Sequence, residues 1–275
     1  MTTNFPTGDP ADAGSEVVAA DAGFDGAAEP ADTPARAWGY WELLYFMLFA
    51  VPGLFLLMIL CTAAVMGVSN LQDWDLDLAA PRTQASLIVV VQLFWWALVL
   101  GYIYVVVTSK YNLPFASSIG WVSPSRAPTF YLAGGVILAF AVAGVSTFFP
   151  APEGQLPIEL LLQDEISILL MAVFGVLVAP VAEEVVFRGF FFPVFERKHG
   201  AVIAILVTSV PFSLLHGPQY GWRWQNLTLL LAVATVFGIV RTRTGSVLAT
   251  TLIHVAYNAT LFSALFAARD QIKEL

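Results

Sequence analysis

Charged residues are scarce in this chain: only 12% of its 275 residues are Asp, Glu, Lys or Arg, whereas 58% are hydrophobic. With a mean hydropathy of +0.77, this composition is typical of a polytopic membrane protein rather than of a soluble domain. The single cysteine, Cys61, excludes a disulfide within the chain and a thiolate zinc site. Lys and Arg total only 12 and form no basic patch, which argues against nucleic-acid binding.

The few charges are distributed unevenly along the chain. The net charge is −8, and residues 1–37 hold seven acidic residues against Arg36 alone, so the remainder is nearly neutral. This first stretch is rich in Ala, Asp, Gly and Pro and poor in apolar bulk, which predicts a disordered acidic tail over residues 1–37. Residues 38–275 are then expected to form one transmembrane helical domain.

Seven apolar segments follow the tail, and they predict an all-α fold: a polytopic bundle of about seven transmembrane helices. The fourth reaches spanning length only if its helix continues through Glu183, Glu184 and Arg188 into the phenylalanines that follow. The fifth and sixth are short. The predicted segments are 41–67, 86–108, 129–149, 166–196, 201–217, 225–241 and 245–268.

The basic residues predict the orientation of the bundle. With the N-terminus inside, the inner connections hold Arg36, Lys110, Arg126, Arg197, Lys198, Arg241 and Arg243. The outer side holds Arg82, Arg223, Arg269 and Lys273. Because inner loops are enriched in Lys and Arg, seven against four favours a cytoplasmic N-terminus.

Two adjacent carboxylates, Glu183 and Glu184, end the strongly apolar run of the fourth segment. Ionisable groups inside a membrane helix are costly unless paired, so they indicate a functional site by default. Arg188 follows Glu184 at i+4, where an ion pair is favoured, and this pair is expected to hold the helix and tune the local field. Glu183 points about 100° away and stays available for chemistry.

Two of the chain's three histidines also lie in apolar segments, His216 at the end of the fifth and His254 in the last, where Asn258 follows at i+4. Counted from the shared hairpin turn, Glu183 and His216 lie at about 21 and 23 Å along their helices. We therefore expect Glu183, His216, His254 and Asn258 to line one cavity. Each alone has a structural interpretation, as an ion pair or as a hydrogen bond between helices.

The patterns Glu-Glu-x-x-x-Arg, Phe-x-x-x-His and His-x-x-x-Asn, in this order, resemble the CAAX prenyl protease 2 and bacteriocin-processing (CPBP, or abortive-infection) family of intramembrane proteases. The resemblance covers roughly residues 115–268 and includes an Ile119-Gly120-Trp121 element. It implies hydrolysis of a peptide bond inside the membrane, with Glu183 as general base. His216 would orient the water, and His254 and Asn258 would donate hydrogen bonds to the oxyanion.

The same residues also allow alternative interpretations. The family has been described both as zinc-dependent and as metal-independent. Two His, one Glu and one Asn could ligate zinc, but His-Glu-x-x-His is absent and Asn is a poor ligand, which favours metal-free chemistry. A non-catalytic membrane immunity or scaffold protein, or a transporter, would use the same polar residues as a helix junction or proton relay. No Asp lies within a span, which excludes an aspartyl dyad.

The expected partners are the lipid bilayer and a membrane-associated protein or peptide, with or without a lipid anchor. The Ala-rich chain with its short core favours a bacterial cytoplasmic membrane, in which a peptide, a bacteriocin precursor and a membrane regulator are candidate substrates. A prenylated C-terminal CAAX protein is the substrate that the family's eukaryotic members suggest.

Overall fold

The computed structural model describes Met1 and residues 37–74, 76–150 and 154–273, with side chains as far as residue 267. Nearly all of the predicted acidic tail, residues 2–36, lies outside the described residues. The described part of the chain is helical and contains no strand, so the predicted all-α fold is confirmed.

Six helices are long and apolar enough to cross a membrane, and the fourth of them, Glu165–Leu215, has 51 residues. This helix breaks at Gly200, whose φ of 80° and ψ of 171° are open to glycine because it has no Cβ. The break divides it into two, so each predicted span has a counterpart. We label the helices α1 (Tyr40–Leu71), α2 (Pro81–Lys110), α3 (Pro128–Ser146), α4 (residues 165–199), α5 (residues 201–215), α6 (Trp224–Thr244) and α7 (Val247–Lys273).

Helix α4 is irregular around the two carboxylates. A short α-helical stretch, Ala179–Glu184, lies between two π-helical turns, Phe174–Val178 and Val185–Phe191. Pro180 lacks an N–H and clashes with a regular preceding turn, so a widened turn before it accommodates the ring. Turns of this kind occur often at functional sites, and here they set the directions of Glu183 and Glu184.

Helix α7 packs closely on α3. At Gly135 a Cβ atom would lie 2.7 Å from the Cβ of Ala256, so only glycine allows this approach of the two backbones. Tyr131, Ile253 and Tyr257 are buried in the same apolar cluster. The close contact fixes the position of α7, which carries His254 and Asn258.

The Ile119-Gly120-Trp121 element fastens the connection between α2 and α3 to the rest of the bundle. Gly120 has a φ of 78°, and its carbonyl accepts a 2.7 Å hydrogen bond from the backbone N–H of Val247. Ser246 Oγ donates to the carbonyl of Val122 at 2.6 Å. Ile119 is buried, and a Cβ atom added at Gly189 would lie 3.2 Å from the Cβ of Ile119. The element thereby positions the start of α7 and the end of α4.

Contacts between helix ends define two ends of the bundle. At one end, Glu42 of α1 accepts hydrogen bonds from Lys110 and Tyr111 after α2, and Arg197 of α4 donates to the carbonyl of Trp38. We call it the basic end; it carries Lys110, Arg126, Arg197, Lys198, Arg241 and Arg243.

At the opposite end, Arg82 at the start of α2 pairs with Asp164, the N-cap of α4, at 3.4 Å. The N–H of Ile158, in the short helix Pro157–Leu161, donates to the carbonyl of Gln219 between α5 and α6 at 3.0 Å. We call it the acidic end; among the described residues it carries Asp73, Asp77, Glu159, Asp164 and Glu165.

Candidate active site

Glu184 is fully buried and makes two ionic contacts through one oxygen. Its Oε1 accepts a hydrogen bond from Arg188 at 3.3 Å and lies 3.1 Å from Nδ1 of His254. The i, i+4 ion pair expected from the sequence is therefore present, with both side chains at 0% exposure. The contact to His254 joins α4 to α7, and the motif spacing gave no sign of it.

Arg188 is held on every side by buried groups. Its guanidinium donates to the carbonyl of Ala234 on α6 at 2.8 Å, and it lies over the rings of Phe212 and Phe237 at 4.9 and 5.3 Å. The backbone carbonyl of Arg188 in turn accepts a hydrogen bond from Arg241 at 3.0 Å. These contacts connect α4, α5 and α6 around the Arg188 guanidinium, so Arg188 stabilises the packing of these three helices.

His254 lies between the two carboxylates. Its Nδ1 faces Glu184, and its Nε2 is 3.8 Å from Oε2 of Glu183. The ring packs on Phe237 with centroids 4.7 Å apart. If Nδ1 carries a proton it donates to Glu184, and Nε2 then points towards Glu183 with its lone pair or, in the imidazolium form, with a second N–H. Glu183 keeps some exposure, at 14% of its side chain.

His216 ends α5 as its C-terminal cap, and its Nδ1 is 2.7 Å from the carbonyl of Phe212. The carbonyl accepts, so the proton is on Nδ1 and Nε2 carries the lone pair. The Phe212 ring packs on His216 at 4.8 Å and on His254 at 5.9 Å, so one aromatic ring touches both histidines. Within the described residues no hydrogen bond or ion pair joins His216 to Glu183.

Asn258 makes its hydrogen bond nearer the N-terminus of α4 than the two carboxylates. Its Nδ2 donates to the carbonyl of Gly175 at 2.7 Å, in the first π-helical turn. Gly175 precedes Glu183 by eight residues, about 12 Å along a helix. The structure therefore brings Glu183, Glu184, Arg188 and His254 together, adds His216 through Phe212, and uses one amide proton of Asn258 to fasten α7 to α4.

Tyr220 is a site residue that the motifs did not reveal. It lies in the turn between α5 and α6, where its backbone N–H donates to the carbonyl of Gly217 at 3.2 Å. Burial raises the pKa of its phenol, and the negative charge of Glu183 raises it further. Tyr220 also interacts with Tyr257, next to Asn258. A tyrosine four residues after His216 was the only signal in the sequence.

The described side chains of the site are not arranged as ligands of a metal ion. Among the described residues no three His, Cys, Asp or Glu side chains are grouped so that they could hold one. The most plausible zinc ligands have other partners: His254 contacts Glu184, and the Asn258 amide is bonded to Gly175. No step of the chemistry below is therefore assigned to zinc.

Comparison with known proteins gives one finding. Residues 165–260 match the family model described as type II CAAX prenyl endopeptidase Rce1-like. All three motifs lie within this range, so the resemblance inferred from them is confirmed, and the match supports a membrane protease of the CAAX type. No curated protein and no solved structure matches the chain at a significant level.

Proposed function

We propose that this protein is an intramembrane endopeptidase of the CAAX prenyl protease 2 type, which hydrolyses a peptide bond with a water activated by Glu183. The observation that carries the proposal is the position of His254 between two carboxylates, with Nδ1 held by Glu184 at 3.1 Å and Nε2 facing Glu183 at 3.8 Å. A purely structural ion pair needs Glu184 and Arg188 alone. The second carboxylate, Glu183, and the partly exposed His216 need another reason.

In this mechanism Glu183 takes a proton from the attacking water, and the oxygen adds to the scissile carbonyl carbon. Nε2 of His216 accepts a hydrogen bond from the same water and orients it. His254 donates from its Nε2–H to the oxyanion, as does the second amide proton of Asn258. Glu183 then delivers its proton to the leaving nitrogen as the C–N bond breaks. Glu184 and Arg188 hold His254 and α4 in place.

The substrate is proposed to be a membrane-associated protein or peptide, with or without a lipid anchor. The segments that carry the site are apolar enough to lie in the bilayer, so a substrate must enter from the membrane or from its surface. We place the protein in a bacterial cytoplasmic membrane because of its Ala-rich composition and short core. The basic connections described above place its N-terminus inside.

The proposal is tested with purified protein in nanodiscs, incubated with libraries of peptides and lipopeptides and analysed by mass spectrometry. Glu183→Gln keeps the shape and removes the base, so turnover should fall by at least about 100-fold. The matched control is Glu196→Gln, on the same helix but about 20 Å along it, which should leave turnover unchanged. Turnover should also survive stringent chelation.

Full activity in Glu183→Gln contradicts the mechanism. Loss of activity to a chelator and its recovery with zinc would replace the metal-free chemistry but keep the same residues. A protein that binds peptides and cleaves none favours the scaffold or immunity interpretation, in which Glu184, Arg188 and His254 form only a polar helix junction. Transport of a solute or of protons in the same vesicles would favour a transporter.

A further inference from the structure

Each of the two π-helical turns of α4 ends shortly before a proline. After the first turn, Phe174–Val178, the N–H of Ala179 donates to the carbonyl of Phe174, five residues earlier. The next residue, Pro180, has no N–H. The carbonyl of Gly175 therefore lacks both of the backbone donors that a helix offers, the α-helical one four residues on and the π-helical one five residues on.

The second turn, Val185–Phe191, repeats this arrangement. The N–H of Phe192 donates to the carbonyl of Phe187, and Pro193 follows without an N–H. The carbonyl that is left without a backbone donor is here that of Arg188. In both turns this carbonyl lies five residues before the proline, so the widened turn and the proline together determine which carbonyl needs another partner.

A side chain from another helix donates to each of these two carbonyls. Nδ2 of Asn258 on α7 donates to Gly175 at 2.7 Å, and Nε of Arg241 on α6 donates to Arg188 at 3.0 Å. Because a buried carbonyl without a partner is costly, these contacts stabilise the two widened turns. Asn258 belongs to the three motifs, whereas Arg241 belongs to none of them and has no part in the mechanism above.

Arg241 is held on its other side by the Ile119-Gly120-Trp121 element. Its side chain is buried, and a Cβ atom at Gly120 would lie only 2.8 Å from Nη2 of the guanidinium. The missing side chain at Gly120 therefore leaves the room that the guanidinium occupies. Cζ of Arg241 also lies 5.8 Å from the centre of the Phe192 ring. With these neighbours, Nε of Arg241 points at the Arg188 carbonyl in a defined direction.

The stretch between the two capped carbonyls carries both carboxylates. Successive residues of a helix point about 100° apart, so a turn that lost its extra residue would rotate Glu183 away from His254, whose Nε2 is 3.8 Å from it. We infer that Arg241 is a positioning residue of the site: its hydrogen bond to the Arg188 carbonyl keeps the second π-helical turn open and so holds Glu183 in the direction that the reaction needs. The inference rests on the proposed function for its reaction.

Three substitutions separate this hydrogen bond from the charge of Arg241. The amide nitrogen of Gln is the same number of bonds from Cα as Nε of Arg, so Arg241→Gln keeps the donor and loses the charge. Arg241→Lys keeps the charge but has no donor at that position, and Arg241→Met has neither. Arg243→Met is the matched control, because Arg243 lies in the same last turn of α6 and is exposed.

The hydrogen bond can be observed without any substrate. Arg followed by Gly occurs once in the sequence, at Arg188-Gly189, so protein labelled with ¹³C at Arg carbonyls and ¹⁵N at Gly gives one correlated NMR signal, that of the Arg188 carbonyl. In nanodiscs we expect this signal to move upfield in Arg241→Met and Arg241→Lys, and to stay in place in Arg241→Gln and Arg243→Met. An unmoved signal in Arg241→Met and Arg241→Lys would overturn the inference.

Turnover shows whether the hydrogen bond serves the reaction. Misplacing a catalytic group by about 1 Å can cost about 100-fold in rate, so kcat should fall by about that factor in Arg241→Met, with KM unchanged. Arg241→Gln should recover most of the loss, and Arg241→Lys less. A lowered thermal midpoint with unchanged kcat would show a merely structural role and overturn the inference.

The remaining outcomes distinguish the inference from the proposed function. An active Arg241→Lys beside an inactive Arg241→Gln would mean that the charge matters and not the hydrogen bond, which overturns the inference and sustains the proposed function. Absence of turnover in every protein, the unsubstituted one included, with the carbonyl signals as expected, would refute the proposed function, while the role of Arg241 in holding the turn would stand.

Discussion

At the scale of single residues, the site depends on one carboxylate oxygen. Oε1 of Glu184 contacts both Arg188 and His254, so the group expected to brace one helix also sets the orientation of the histidine on another. Its second oxygen and Nε of Arg188 are buried without a hydrogen-bond partner in the described structure. Buried ionic groups with incomplete pairing contribute little to stability but are costly to break.

This predicts that the two glutamates and the arginine respond differently to truncation. Arg188→Ala removes the cation that faces Glu184 and leaves a buried charge uncompensated, which should cost about 3–5 kcal/mol. Glu183→Ala changes a partly exposed side chain and should cost less. Protein abundance in membranes and the midpoint of thermal unfolding in detergent measure both. Normal accumulation of Arg188→Ala would show that this arginine is not structurally important.

Tyr220 gives a second prediction at this scale. A tyrosine phenol is protonated at neutral pH, and a raised pKa keeps it so, so Tyr220 can donate a hydrogen bond to a substrate. Tyr220→Phe should lower kcat/KM about tenfold, the worth of one hydrogen bond, without changing the thermal midpoint. The Tyr45→Phe variant, an exposed tyrosine of α1, is the control. An unchanged kcat/KM would show that the phenol does not meet the substrate.

At the scale of elements, hydropathy alone located the helices well. The predicted segment 41–67 lies inside Tyr40–Leu71, and 225–241 inside Trp224–Thr244. The fourth and fifth segments were separated correctly because the turn at Gly200 interrupts an otherwise continuous helix. Apolar runs with polar interruptions suffice for this, since the bilayer sets the length of each span.

The sequence did not reveal how the elements meet around the site. The π-helical turns of α4 rotate the side chains that follow them, and no periodicity shows such a turn. The similar distances of Glu183 and His216 from the hairpin turn predicted their depth but not the ring or carbonyl that each side chain would contact. Thus the contact of His254 with Glu184, the Gly175 partner of Asn258 and the approach of Tyr220 emerged only from the packing.

The contact between α3 and α7 provides a prediction about elements. Gly135→Leu places a side chain where even a Cβ would lie 2.7 Å from that of Ala256, so the helices must separate and His254 must move. Both abundance and turnover should fall. Gly144→Leu, on the same helix with open space around it, is the matched control and should preserve both. Equal behaviour of the two variants would show that the close packing is dispensable.

At the scale of the whole molecule, charge is sorted between the two ends of the bundle. Six of the described basic residues lie at the basic end, whereas Asp73, Asp77, Glu159 and Asp164 lie at the other. The same sorting appears in the sequence, because alternate connections between spans return to the same side of the membrane. Glu42 at the basic end and Arg82 at the acidic end depart from the pattern, and each is paired with a residue of opposite charge.

This sorting predicts the topology of the chain. Reporters fused after Lys198 and after Arg243 should both report the cytoplasm, because α4 and α6 both finish at the basic end. A reporter inserted after Gln155 should report the opposite side. The two junctions must agree with each other in either orientation, since α5 and α6 together cross the membrane twice. Opposite sides for Lys198 and Arg243 would mean that α5 or α6 does not span. The polar residues of α4, α5 and α7 would then lie at different depths, and the site could not form as described.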